Sequence, residues 1–222
     1  GSSDSEMKIV ARRDRDILRP MDLRGRKIAT QKASSLHVFL HLFLLKEGLT
    51  ESDVQLDFRA PDELANDLIA GKSDAAALRE PQLSQVKAAL GSNAVVFAER
   101  GLYVKYYLLV TRAAFLEQEP ATVAAILRAV LAAEKAARAN PAAAQTALAG
   151  KLQVTTAIAA LLWPDMDLRV SLPQALVLCL EDEARWAARS GFVTNRPPPN
   201  FLTMMHVATL EQLVPDEVTI IR

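Results

Sequence analysis

Three features of the sequence predict an α/β fold. Between Met7 and Ala98 short β-like runs alternate with helical segments. Gly and Pro punctuate most of the junctions between them. After Arg112 the chain turns Ala- and Leu-rich and reads as nearly all helix. Alternating strand and helix implies a sheet with crossover helices, largely parallel. The helical second half lacks strands from which to build a core of its own.

The elements follow in order. Met7–Ala11 (MKIVA) is short, apolar and strand-like, and a charged stretch and a turn at Pro20 come after it. Lys27–Thr30 is the next strand. Gln31, Lys32 and Ala33 form a polar turn, and a helix opens on Ser34 and Ser35 and runs through the apolar segment Leu36 to Lys46. Gly48 stops it. Val54–Phe58 alternates as a strand. Pro61 opens the helix PDELANDLIAG, with Asp62 and Glu63 in its first turn and Gly71 past its end. Asp74–Leu78 is a small-residue strand broken by Arg79-Glu80-Pro81. Leu83–Leu90 is a helix and Ala94–Ala98 a strand. Tyr103–Thr111 (YVKYYLLVT) is the longest β-like run of the chain. Helices are then expected over Pro120 to Asn140, Ala142–Leu148, Thr155–Leu162 and Pro173 to Arg189. Arg196 to Asn200 is a Pro-rich loop, Met204–Leu213 a terminal helix, and VTIIR a short strand or tail.

Composition narrows the function classes. The 222 residues, half of them hydrophobic, suffice for a sizeable core in one large or two small domains. Lys plus Arg and Asp plus Glu both number 26, so bulk electrostatics favour no nucleic-acid partner. Cys179 is the one cysteine, which excludes an internal disulfide and a cysteine-rich zinc site. No apolar run approaches the roughly 20 residues of a membrane span. The leader GSSDSE, residues 1–6, reads as a tag or linker, an expression scar followed by a few native residues, and is set aside in reading the fold. GxSxG, P-loop and GxGxxG patterns are absent.

The candidate site is the strand–turn–helix around Ser34 and Ser35. A helix start presents unpaired N–H groups and the positive end of the helix dipole, which together suit a small anion. Ser is also a preferred N-cap and needs no ligand for that; one Ser can cap while the other binds. Gln31 and Lys32 are donors beside the same helix, with Gln31 the better placed for orientation. His37 and His41 stand at i, i+4, a spacing that can bind zinc, yet no third ligand lies nearby, and no metal site is expected. One turn into the helix, His37 can face the pocket.

Arg79 and Glu80 end a strand, where ligands collect in open α/β sheets; the alternative is a turn with an exposed ion pair. Tyr103, Lys105, Tyr106 and Tyr107 form an aromatic-basic cluster. Alternation separates Tyr106 from Tyr107 across a strand, and Tyr106 is taken as the cleft residue. Glu181, Asp182 and Glu183 point to different sides of a helix and cannot converge for acid–base work. Cys179 sits in an apolar run and reads as an inert thiol.

Three segments, in order and spacing, carry a family resemblance. They are DLRGRKIATQKASSLHVFL, DELANDLIAGKSDAAALREPQLS and LPQALVLCLEDEARWAARSG. They resemble the periplasmic solute-binding proteins of nitrate, taurine and alkanesulfonate type, the NMT1/SsuA-like receptors of ABC importers. Two positions depart from the family pattern: its Gly before Ser-Ser is Ala33 here, and its Trp before Glu-Pro is Arg79.

The resemblance implies a type II periplasmic-binding-protein-like fold with one nearly complete α/β lobe and a largely helical partial second lobe. On that reading residues 7–21 are a crossover strand and linker, 22–102 are lobe 2, and 103–222 are a return crossover and the helical remainder of lobe 1. Family members carry further sequence before the MKIVA-like strand, so an apolar face is expected to lie uncovered. A homo-oligomer, a swapped dimer or a missing N-terminal segment is expected to cover it.

The function implied is extracytoplasmic capture of a small anionic or zwitterionic solute (nitrate, sulfonate, taurine or related) for an ABC permease, without catalysis and without a cofactor. The candidate ligand-binding residues are Gln31, Ser34, Ser35, His37, Arg79, Glu80 and Tyr106. Two alternatives stay open on the same fold: a ligand-sensing domain of a signalling protein, and a pyrimidine-precursor-type enzyme.

Overall fold

The computed structural model describes residues 1–193 and 197–221. Its strands are β1 (Ser2–Ser3), β2 (Lys8–Arg12), β3 (Lys27–Thr30), β4 (Gln55–Phe58), β5 (Ala75–Leu78), β6 (Ala94–Ala98) and β7 (Lys105–Tyr106). Its helices are α1 (Ser35–Lys46), α2 (Leu64–Ile69), α3 (Gln82–Leu90), α4 (Ala113–Gln118), α5 (Pro120–Ala139), α6 (Pro141–Leu152), α7 (Thr156–Leu162), α8 (Gln174–Arg189) and α9 (Ala208–Leu213). The chain divides into two compact units. The α/β unit holds Ser3–Lys105 and Val154–Asp165, and the helical unit holds Gly1–Ser2, Tyr106–Gln153 and Met166–Arg222.

In the α/β unit five strands lie in the order β4-β3-β5-β2-β6. β3 pairs parallel with β4 and with β5, whereas β2 is antiparallel to both β5 and β6. The expected largely parallel sheet is therefore corrected to a mixed one, with four strands pointing one way and β2 alone against them. β2 precedes the strand–helix alternation, so no crossover helix dictates its direction.

The crossover β3–α1–β4 steps one way along the sheet and β4–α2–β5 the other. Right-handed crossovers then put α1 and α2 on opposite faces, and α3 packs against α2. β5 is Ala-Ala-Ala-Leu and wholly buried; its small side chains let helices approach the middle of the sheet closely. α1 is apolar on most sides, with Leu36, Phe39, Leu40, Phe43 and Leu44 buried, as suits a helix covered by other layers. Phe43 stacks on Phe97 of β6 at 6.2 Å between centroids. Each fully buried Leu or Ile of this core contributes roughly 1.5–3 kcal/mol.

Several expected boundaries move. The helix expected from Pro61 begins only at Leu64, because residues 61–63 form a turn. Of the run Tyr103–Thr111 only Lys105–Tyr106 is strand. Leu108, Leu109 and Val110 are exposed outside any strand: β-propensity acts through a partner to pair with. The terminal helix is a 3₁₀ turn (Phe201–Met204) followed by the short α9. Val218 forms a single parallel bridge to Leu172 in place of a strand. Arg196 and Arg222, the first residue of the expected loop and the last of the tail, lie outside the described residues.

The leader is a further correction. Ser3, Ser5 and Glu6 are buried in the α/β unit. The Ser3 hydroxyl accepts from the Glu6 amide at 3.2 Å, and the Ser5 hydroxyl donates to Asp165 at 2.7 Å. Residues 3–6 fold because they run directly into β2, in the middle of the sheet. The helical unit buries few apolar side chains, among them Val123, Leu176, Val177, Trp186 and Leu210. Among the described residues no single helix is long and apolar enough to cross a membrane.

Candidate functional site

Strand register brings the candidate residues of the α/β unit to one edge. Thr30 lies opposite Phe58, and Ala29 opposite Ala76, so β3, β4 and β5 end at about the same level. Gln31–Ser35, Arg59 and Arg79–Glu80 all follow at that carboxyl edge. β2 runs the other way with Lys8 opposite Leu78, so the residues entering it, Glu6 and Met7, arrive at the same edge. This is where open α/β sheets collect ligands.

The turn into α1 is built by its own side chains. Ala33 takes φ +52°, the left-handed region. Ser34 caps the helix: its hydroxyl accepts from the His37 amide at 3.4 Å and donates to the Gln31 carbonyl at 2.7 Å. Ser34 is thus engaged within the turn. Ser35 is half-buried at the first helical position, and the Ser35 and Leu36 amides have no acceptor among the described residues. Two free N–H groups, one hydroxyl and the positive end of the helix dipole therefore converge at this point. Lys32 lies over the Phe58 ring, 5.5 Å from its centroid. The Thr30 hydroxyl at the end of β3 is fully buried with no hydrogen-bond partner among the described residues.

A second cluster centres on Glu6, a residue outside the sequence-derived set. The nearly buried Glu6 carboxylate takes Lys105 Nζ at 2.7 Å and Arg79 at 3.7 Å. Ser5, Glu6, Met7, Phe39, Tyr103 and Lys105 line a shallow cleft there. Phe39 stands one turn beyond Ser35 on α1. Arg79 is about two-fifths exposed and keeps N–H groups for other acceptors. Glu6 escaped the sequence reading because it sat in the tag-like leader; its one signal is its position immediately ahead of an apolar strand. Arg59, also missed, follows β4 and pairs with Asp57 at 3.0 Å and Asp67 at 3.3 Å.

Three candidates have other surroundings than those expected. His37 is fully buried. Its Nδ1 accepts from the Ala33 amide at 3.2 Å, and its Nε2 lies 3.5 Å from Glu51. The ring therefore stands behind the turn and not in the pocket, because α1 is covered by apolar layers from its first turn onward. Glu80 accepts from the Ser84 amide at 3.1 Å and so caps the first turn of α3. Tyr106 falls in the helical unit, where burial, with Cys179 nearby, pushes its hydroxyl above the ordinary tyrosine value.

The Glu51 carboxylate, 3.5 Å from His37 Nε2 and hydrogen-bonded to His41 at 2.9 Å, is held below the usual glutamate range. Burial pushes the Cys179 thiol, with Glu183 beside it, up to about 12.

The NMT1/THI5-like family model matches residues 3–144, well over half of the chain. The chain belongs to the NMT1/THI5-like family. No curated protein matches it in sequence. Among solved structures it is similar to the periplasmic aliphatic sulphonate binding protein SsuA from Escherichia coli. That match has 16% identity and a TM-score of 0.70, over 94% of this chain and 72% of that one. It is similar also to the alkanesulfonate-binding protein SsuA from Xanthomonas axonopodis pv. citri bound to MOPS, with 18% identity and a TM-score of 0.70. There the match covers 87% of this chain and 67% of the other. The desulfurization enzyme DSZB matches at 16% identity and a TM-score of 0.62, over 97% and 78%. At such identities the likeness shows a shared fold, that of the periplasmic binding proteins. It is the type II fold implied by the sequence resemblance.

Proposed function

We propose that this chain is a solute-binding protein that captures a small anionic or zwitterionic solute, a sulfonate foremost, for an ABC importer outside the cytoplasm. The observation that carries the reading is the start of α1. Free Ser35 and Leu36 amides and the Ser35 hydroxyl stand at the carboxyl edge of the sheet, where Arg79 and Lys105 also gather. An oxyanion there meets donors already oriented, so little ordering is needed on binding. The SsuA likenesses and the family membership support the choice of solute class and the extracytoplasmic setting.

Titration calorimetry with ethanesulfonate, taurine and nitrate tests the reading. Ser35→Ala removes a hydroxyl that takes no part in the turn. A lost hydrogen bond to a charged group costs about 1.5–3 kcal/mol, so affinity falls about tenfold or more while the melting temperature holds. Equal affinity in wild type and variant refutes the assignment.

A second reading, an enzyme of the same fold, draws support from the DSZB likeness. Mass spectrometry separates the two: an enzyme returns an altered small molecule, a receptor returns the one supplied. A sensing role on this same fold would leave the binding result unchanged and differ in its protein partner.

A further inference from the structure

His37 is a buried polar side chain that touches the turn from behind, and the binding reading leaves it without a role. Its backbone amide bonds the Ser34 hydroxyl, while its ring accepts the Ala33 amide through Nδ1 at 3.2 Å. It thus clasps the turn from both ends of one residue. The clasped residue is a non-glycine at φ +52°, a backbone state that persists only where its surroundings hold it.

For Nδ1 to accept, the ring proton must sit on Nε2. Nε2 faces Glu51 Oε1 at 3.5 Å, and the same carboxylate oxygen lies 2.9 Å from His41 Nδ1. The Phe58 ring packs edge-on against the imidazole at 5.0 Å and carries Lys32 over its own face. The groups around His37 thus form a chain from Glu51 through the imidazole to the Ala33 amide, and so to Ser34 and Ser35.

We propose that His37 is a positioning residue of the anion-binding turn: in its Nε2–H form, with Glu51 on its far side, it accepts the Ala33 amide and holds the left-handed turn that presents the start of α1. This rests on the binding role argued above, although the clasp itself exists with or without a ligand. His37 touches no solute; it sets where the donors point. The same geometry explains how this chain keeps Ala33 where a glycine would adopt the turn unaided.

Three measurements on the full chain test the proposal. Ring ¹⁵N spectra of the wild type at neutral pH are expected to show His37 as neutral Nε2–H; a proton on Nδ1 overturns the proposal. Amide exchange at Ala33 is expected to be slow in the wild type and in His37→Asn, whose side-chain oxygen can replace Nδ1. It is expected to be fast in His37→Phe, which keeps a ring and loses the acceptor. Ethanesulfonate affinity is expected to stay near the wild-type value in His37→Asn and to fall about tenfold in His37→Phe. Wild-type exchange and affinity in His37→Phe refute the positioning role. Failure of the wild type to bind ethanesulfonate, with Ala33 still deprotected in His37→Phe, sinks the receptor reading and leaves the clasp standing.

Discussion

Replacing Ala33 by Gly should stabilise the protein, against the usual sign of an Ala→Gly change. Ala33 sits at φ +52° and is exposed, so its methyl group buries little surface. Holding a residue with a Cβ in the left-handed region costs roughly 1–2 kcal/mol. Glycine removes that cost and adds about 0.4–1 kcal/mol of unfolded-chain entropy, leaving a net gain of about 0.5–1 kcal/mol. With urea slopes of about 1–3 kcal/mol/M, the midpoint should rise by about 0.3 M. Far-UV circular dichroism in urea follows it. Gln153, at φ +54° past the end of α6, should respond to Gly in the same direction. Ala133, exposed within α5, should lose about 1 kcal/mol on the same change. Destabilisation at position 33 comparable to that at 133 would refute the strain argument.

Other expectations concern charge, thiol chemistry and assembly. The native Glu51 carboxylate is held below its ordinary value by His37 first and His41 second. Its stabilisation is therefore complete above the unfolded glutamate pKa, ~4.3, and fades as pH falls through the lower native value. Wild type should exceed Glu51→Gln in stability well above the unfolded value and converge with it as pH falls below the native one; thermal melts that keep a constant gap contradict this. Cys179, pushed up to about 12, should resist iodoacetamide at pH 8 in the folded protein and react once urea unfolds it; rapid native labelling counts against its burial. Leu109 and Val110 are 65% and 81% exposed next to Leu108. If this segment pairs with another copy, Leu109→Lys with Val110→Lys should shift light-scattering mass from dimer to monomer. A wild type that is already monomeric at high concentration excludes such pairing.

Much of the α/β unit was legible because its signals are local. Ser34 caps α1, Gly48 follows its end, and β3, β5 and β6 fall within a residue of their expected limits. The candidate edge was legible too, since a strand running into a Ser-Ser helix start and another ending in Arg-Glu-Pro both mark carboxyl ends of strands. Glu6 was not legible. A polar leader of six residues reads as solvated until a neighbouring strand and two cations are known to meet it. Nor was the burial of His37, because helical spacing gives a residue its face and not the layer packed above that face. The run Tyr103–Thr111 shows the reverse failure, strong β-propensity with little to pair against.

By itself the sequence determined where most helices and strands of the α/β unit lie, which of them are apolar, and that a strand runs into a helix tip rich in donors. Those properties depend on residues a few positions apart, and capping, glycine turns and periodicity act over that range. Only the tertiary structure decided that β2 enters antiparallel between β5 and β6, that residues 154–165 join the α/β unit, and that Glu6, Arg79 and Lys105 share one edge. Contacts between residues roughly 70 to 100 positions apart are settled by strand register and by which faces bury one another, and neither quantity is written in any local stretch of chain.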